Sequence, residues 1–145
     1  MKKTGIKVII LILMVLLQSC ENVFHNDKLD YMWKLDSLEY PDGVDLFGNT
    51  CSKQSIDGAW FSFARDLVKV EDKRSGLCII GILTDHGDQL TFDFSMYNDD
   101  NWQPIDDGLK QIGIKDKVTN FNVIELKRDK LVLENSKAIF RFTKW

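Results

Sequence analysis

Asp99, Asp100, Asp106 and Asp107 crowd around Trp102, and carboxylate oxygens are what a hard cation such as calcium needs. Their spacing fits no EF-hand loop, however, and aspartate is a common turn former, so the preferred reading is turn chemistry. His25 and His86 are the only histidines. Neither stands at paired-ligand spacing with another His or Cys, so no zinc site is expected. Glu125 and Asp93 could be imagined as an acid pair, but both fall on alternating strand positions of the kind that face water. There is no Gly-x-Ser-x-Gly elbow, no phosphate loop and no Cys–His nucleophile pattern. The residues therefore imply no enzyme, no metal and no cofactor.

The apolar residues offer a different chemistry. Leu90, Phe92, Phe94 and Met96 alternate with polar partners, and Phe140 and Phe142 repeat the pattern near the end of the chain. A common face of this kind lines either a ligand cavity or a filled core. Three cysteines are present. Cys51 and Cys78 form a candidate disulfide if the domain is exported, because such bonds persist in oxidising compartments.

Cys20 has another role, set by what precedes it. Lys2, Lys3 and Lys7 lead into an unbroken apolar run from Val8 to Leu17, followed by Gln18-Ser19-Cys20. A basic start, a short apolar centre and a small residue at the cut is the pattern of a secretory signal peptide. The run is too short for a bilayer span, which needs roughly 18 or more residues. Leu17-Gln18-Ser19-Cys20 resembles a bacterial lipobox, which implies cleavage before Cys20 and acylation of its sulfur and amine. Residues 1–19 are then signal peptide, 20–30 a lipidated tether and 31–145 the domain. Glu21, rather than Asp, follows the cysteine, and by analogy with envelope sorting this favours the outer membrane with the domain facing the periplasm.

Cleavage removes three of the 19 basic residues, leaving 16 against 22 acidic ones and a formal charge of −6. That argues against nucleic acid as a partner and against electrostatic adhesion to anionic lipid. Membrane attachment must come from the acyl chains, two or more of which anchor stably. With 44% hydrophobic residues, nine Phe and four Trp, the remaining chain can build one real core.

The elements that would position these residues are short strands. Tyr31, Trp33 and Leu35 alternate with Met32, Lys34 and Asp36, and Pro41-Asp42-Gly43 ends that run as a turn. Residues 44–56 read as a long loop. Strands are expected over 59–64, 67–71, 77–84, 118–126, 130–134 and 138–144, with a further one through Leu90 to Met96. Leu77 to Thr84 is apolar on both faces, which predicts burial on both, and Gly81 marks a bulge or a close backbone approach. Residues 97–103 read as loop, and 104–112 as a short helix with Pro104 in its first turn. About eight strands with hairpin spacing and no strand–helix alternation predict an all-β, antiparallel barrel or sandwich. Closure of a barrel would pair the first strand with the last and remove both exposed edges.

Three stretches carry a family likeness. They are Trp33 to Ser37, the hairpin Gly81–Thr84 with Gln89–Phe92, and Val123–Leu133 followed by Phe140–Lys144. Together they resemble the small lipocalin-like lipoproteins of Bacteroidota. The resemblance implies an up-and-down barrel of about eight strands and carries over no functional residue. This sequence departs from the family pattern by lacking a clear Gly before Trp33 and by a stretch over 98–117 that looks like an insertion. The function expected is that of a lipid-anchored envelope protein binding a small apolar ligand without catalysis. The alternative is a structural or inhibitory lipoprotein that contacts a protein partner through its loops.

Overall fold

The computed structural model describes residues 28–97 and 99–145, with the backbone alone for 99–104. Residues 1–27, with the expected signal peptide, Cys20 and His25, lie outside the described residues. Along the rest, alternating apolar residues make strands: β1 Met32–Glu39, β2 Lys53–Ser55, β3 Ala59–Ala64, β4 Leu67–Asp72, β5 Leu77–Asp85, β6 Gln89–Asp93, β7 Val118–Leu126, β8 Lys130–Glu134 and β9 Ile139–Lys144. One helix, α1 Asp99–Gln111, joins β6 to β7.

β1 and β3 to β9 pair antiparallel in chain order, and β9 returns to pair with β1, which closes an eight-stranded barrel. The first strand thus meets the last as expected, with Trp33 opposite Lys144 and Leu35 opposite Phe142. The sandwich alternative does not form. Glu39 and Arg141 brace this seam with a two-pronged ion pair, Nε to Oε1 at 2.8 Å and Nη2 to Oε2 at 3.3 Å. A bulge between Leu35 and Ser37 shifts the inward phase of β1 by one, so Trp33 and Leu35 point inward before it and Leu38 after it.

The interior is filled by rings. Phe92 and Phe121 lie 4.4 Å apart between centroids, Phe61 and Phe142 5.0 Å, and Phe121 and Phe140 5.2 Å. These separations suit aromatic packing, and each pair is worth about 0.5–1.5 kcal/mol beyond its buried area.

The two ends of the barrel differ. At the helix end, Leu109, Ile112 and Ile114 are fully buried. The carbonyl of Leu109 accepts from the N–H groups of Ile112 and Ile114, and Gly113 takes the left-handed conformation (φ 83°) that terminates α1. A Cβ on Gly113 would come within 2.9 Å of the Phe140 ring, so the helix terminus rests directly on the ring column. At the other end the plug is a single turn. Leu29 is buried and its carbonyl accepts the Trp33 indole N–H at 3.1 Å.

Four expectations are corrected. Residues 44–56 are not loop throughout, because Lys53–Ser55 pairs with the second half of β1 while β3 takes the first half. β5 is buried on one face only: Cys78, Ile80 and Ile82 point outward, and Gly81 marks a close approach to the Phe94 ring rather than a bulge. The helix begins at Asp99, five residues before Pro104. β6 ends at Asp93, whose carboxylate accepts the Ser95 N–H and turns the chain, so Met96 leaves the inward series and is 59% exposed.

Candidate functional site

Most of the chemistry-bearing side chains are dispersed. Asp93 stands at the helix end of β6 and Glu125 near the opposite end of β7, so they form no acid pair. Glu125 is engaged by Lys127 at 2.7 Å and Lys130 at 3.3 Å, and the Lys127 bond holds its carboxyl below the usual range. Asp106 bonds Lys110 within α1 at 2.7 Å, while the side chains of Asp99, Asp100 and Trp102 lie outside what the structure describes. Among the described residues no three His, Cys, Asp or Glu converge as metal ligands. His86 is exposed in the β5–β6 turn.

Cys51 and Cys78 are not brought together; both are free thiols. Cys51 packs against the edge of the core from the 40–52 loop, whereas Cys78 occupies an outward position of β5 with its Sγ 3.9 Å from Glu71 Oε1. The strand phase that exposes Ile80 and Ile82 also turns Cys78 away from the interior.

Five of the six candidate lining residues, Leu90, Phe92, Phe94, Phe140 and Phe142, do face inward and are buried. They meet one another and Phe61, Phe63 and Phe121 instead of bordering an open space.

An open concavity lies at the end plugged by Leu29. A cleft of about 510 Å³ is lined by Lys28, Tyr31, Arg128 and Lys144. Three segments build it. The turn before β1 supplies Lys28 and Tyr31, and Tyr31 N–H donates to the Leu29 carbonyl at 2.6 Å. The β7–β8 turn, closed by Lys127 N–H to the Lys130 carbonyl at 2.8 Å, carries Arg128. The end of β9 supplies Lys144, whose backbone N–H donates to Asp129 O at 3.1 Å and whose Nζ sits 3.2 Å above the Tyr31 ring. A cation on a ring face is an attractive arrangement that also fixes the ring. Three cationic groups and an aromatic face suit an anionic group carried on an apolar or planar body.

No single stretch of sequence signals this cleft, because its residues are spread over 28 to 144. The usable signal was closure: pairing the first strand with the last necessarily brings Tyr31 near Lys144.

The family model of a lipocalin-like domain matches residues 14–145. No curated protein matches the sequence. Among solved structures, the chain is similar to a lipocalin-like protein from Bacteroides uniformis, with a TM-score of 0.59 and 19% identity over 81% of this chain and 99% of that one. It is similarly close to an uncharacterized protein from Bacteroides eggerthii, with a TM-score of 0.58, 19% identity and the same coverage.

Proposed function

Because this chain belongs to the lipocalin-like domain family, whose members are generally binding proteins rather than enzymes, we propose that it is a non-enzymatic binding module. In this reading it is lipid-anchored through Cys20 in the cell envelope, on the periplasmic face of the outer membrane. The expectation of a small apolar ligand is refined by the packing. A ligand inside the barrel would have to displace rings in mutual contact, which favours a ligand at the open end. The observation that carries this reading is the cleft of about 510 Å³ lined by Lys28, Tyr31, Arg128 and Lys144. The ligand class it favours is an amphiphile, apolar in body and anionic at one end.

Native mass spectrometry of the protein purified from its own host tests this. An added mass that is lost in Arg128→Gln supports the cleft. A clean apo mass, unchanged by added fatty acid or lysophospholipid, rejects it.

A second reading, docking to a protein partner, draws on the outer wall. Leu67 and Ile82 are cross-strand neighbours there, with Ile80 on the same face of β5, and all three are exposed. Charged substitution at Ile82 would abolish capture of such a partner and leave the cleft's ligand bound.

A further inference from the structure

We propose that the seam side of the open end is a membrane-contact face, and that the Lys28–Tyr31–Arg128–Lys144 cleft receives the anionic headgroup of a bilayer lipid. This rests on the lipid-anchored reading above and names the source of the ligand.

Chain length is the first argument. Lys28 stands eight positions after Cys20, and a fully extended chain spans about 3.3–3.6 Å per residue. An anchor at Cys20 therefore keeps the open end within roughly 28 Å of the membrane. The helix end lies further along the barrel by roughly 20–25 Å, the nine residues of β7 corrected for the usual strand tilt.

Surface composition is the second. Tyr31 is 45% exposed, Met32 38% and Trp145 71%, all at this end beside the seam. The Trp145 N–H donates to the Met32 carbonyl at 2.9 Å, and its ring meets the edge of Trp60 at 5.8 Å, so the indole is held against the wall. Amphipathic aromatic rings flanked by Lys and Arg are the composition that settles at a bilayer interface.

Charge distribution is the third. Lys28, Lys127, Arg128, Lys130 and Lys144 cluster on the seam side, against Asp30, Glu125 and Asp129. The β5–β6 turn lies across the ring of strands and carries Asp85 and Asp88. The formal charge of −6 hides this segregation. The side turned toward an anionic surface would be the cationic one, and attraction there falls off within a Debye length.

The test uses the processed protein purified from its host and reconstituted into phosphatidylglycerol vesicles containing phosphatidylcholine brominated on its acyl chains. Tryptophan fluorescence should be quenched, and Trp145→Phe should reduce that quench, leaving the share of its half-buried neighbour Trp60, since Trp33 is buried. The Arg128→Gln/Lys144→Gln double variant should need about tenfold more anionic lipid for the same quench, while flotation with the vesicles persists through the acyl chains. Equal quench in Trp145→Phe, or no effect of the double variant, would overturn the membrane face. Loss of the wild-type quench on adding soluble glycerol phosphate would also overturn it, in favour of a site for a soluble anion. Intact mass reads the acyl group independently. If the protein proves unacylated, it is added to the same vesicles from outside. Quench there upholds the face and removes only the anchor; its absence overturns the face.

Discussion

The helix end and the open end of this barrel are closed by different means, and the difference divides stability from recognition. At the helix end, α1 and its terminating turn bury Leu109, Ile112 and Ile114 against the ring column. The packing there is tight enough that Gly113 has no room for a Cβ, and Asn135 Nδ2 donates to the Gly113 carbonyl at 2.9 Å. At the open end, among the described residues, Leu29 does the plugging, and the seam side of the rim is cationic. An end that is overfilled with apolar contacts has little capacity to receive a ligand. An end closed by one side chain keeps an aqueous surface on which charged groups can be arranged at small cost to the fold.

The largest expected effect concerns what both ends share. Deleting residues 136–145 removes β9, with Phe140 and Phe142, and opens the seam along β1. A domain stable by about 5–15 kcal/mol should not survive this. Circular dichroism should show no cooperative melt; a melt near that of the intact domain would mean the seam carries little.

Next, Phe140→Ala should cost about 3–5 kcal/mol, because that ring touches Phe61, Phe121, Phe142 and the turn at Gly113. Leu29→Ala should cost less, about 2 kcal/mol, at the lower edge for a buried leucine, because water can reach the vacated site. Equal losses in chemical denaturation would erase the contrast between the ends.

Tyr40 tests the helix end by pH. Its hydroxyl pKa is pushed up to about 12, chiefly by burial, with Asp45 and Cys51 adding to the effect. The folded state therefore favours the neutral phenol. That stability is fully present below pH 10 and is lost as pH rises toward 12. The loss approaches roughly 2 kcal/mol. Tyr40→Phe should flatten the stability profile between pH 10 and 12 while changing little at pH 7, as read by melting temperature.

The smallest effect belongs to the open end. Lys144→Gln removes the cation from the Tyr31 ring and should cost no more than about 0.5–1 kcal/mol of stability. A larger loss would show that the rim is part of the structural closure after all.

The legible and illegible parts of this molecule separate on the same physical line. Trp33, Leu35, Phe140 and Phe142 announce inward faces by strict alternation, and two such faces at opposite ends of the chain imply a closed sheet. Ile80 and Ile82 mislead because they are apolar yet outward, so composition suggested a strand buried on both faces. Met96 misleads because the alternation runs past the point where Asp93 turns the chain. β2 leaves no trace, since Lys53-Gln54-Ser55 has no apolar face to bury and pairs through its backbone and an ion pair from the exposed Lys53 to Glu39 at 3.5 Å. The cleft is illegible for a different reason. Its charges are ordinary surface residues until closure juxtaposes them, and nothing local marks Lys28, Arg128 or Lys144 as partners.

The seam sets the order in which the molecule can be made. Asp36 bonds Thr143 across 107 positions, and Glu39 reaches Arg141 across 102. Contacts between residues this distant in the chain bring a large loop-closure cost before they return any stabilisation, so barrels dominated by them fold in milliseconds to seconds rather than microseconds. Until residues 139–144 are available, β1 lacks its second partner, and the phenylalanines of β3, β6 and β7 have no closed interior to enter. On the proposed export, a chain crossing a membrane unfolded would benefit from this order, because the domain cannot close early and jam. The same delay leaves its rings exposed to solvent on arrival, where a holding chaperone would have its chance to bind.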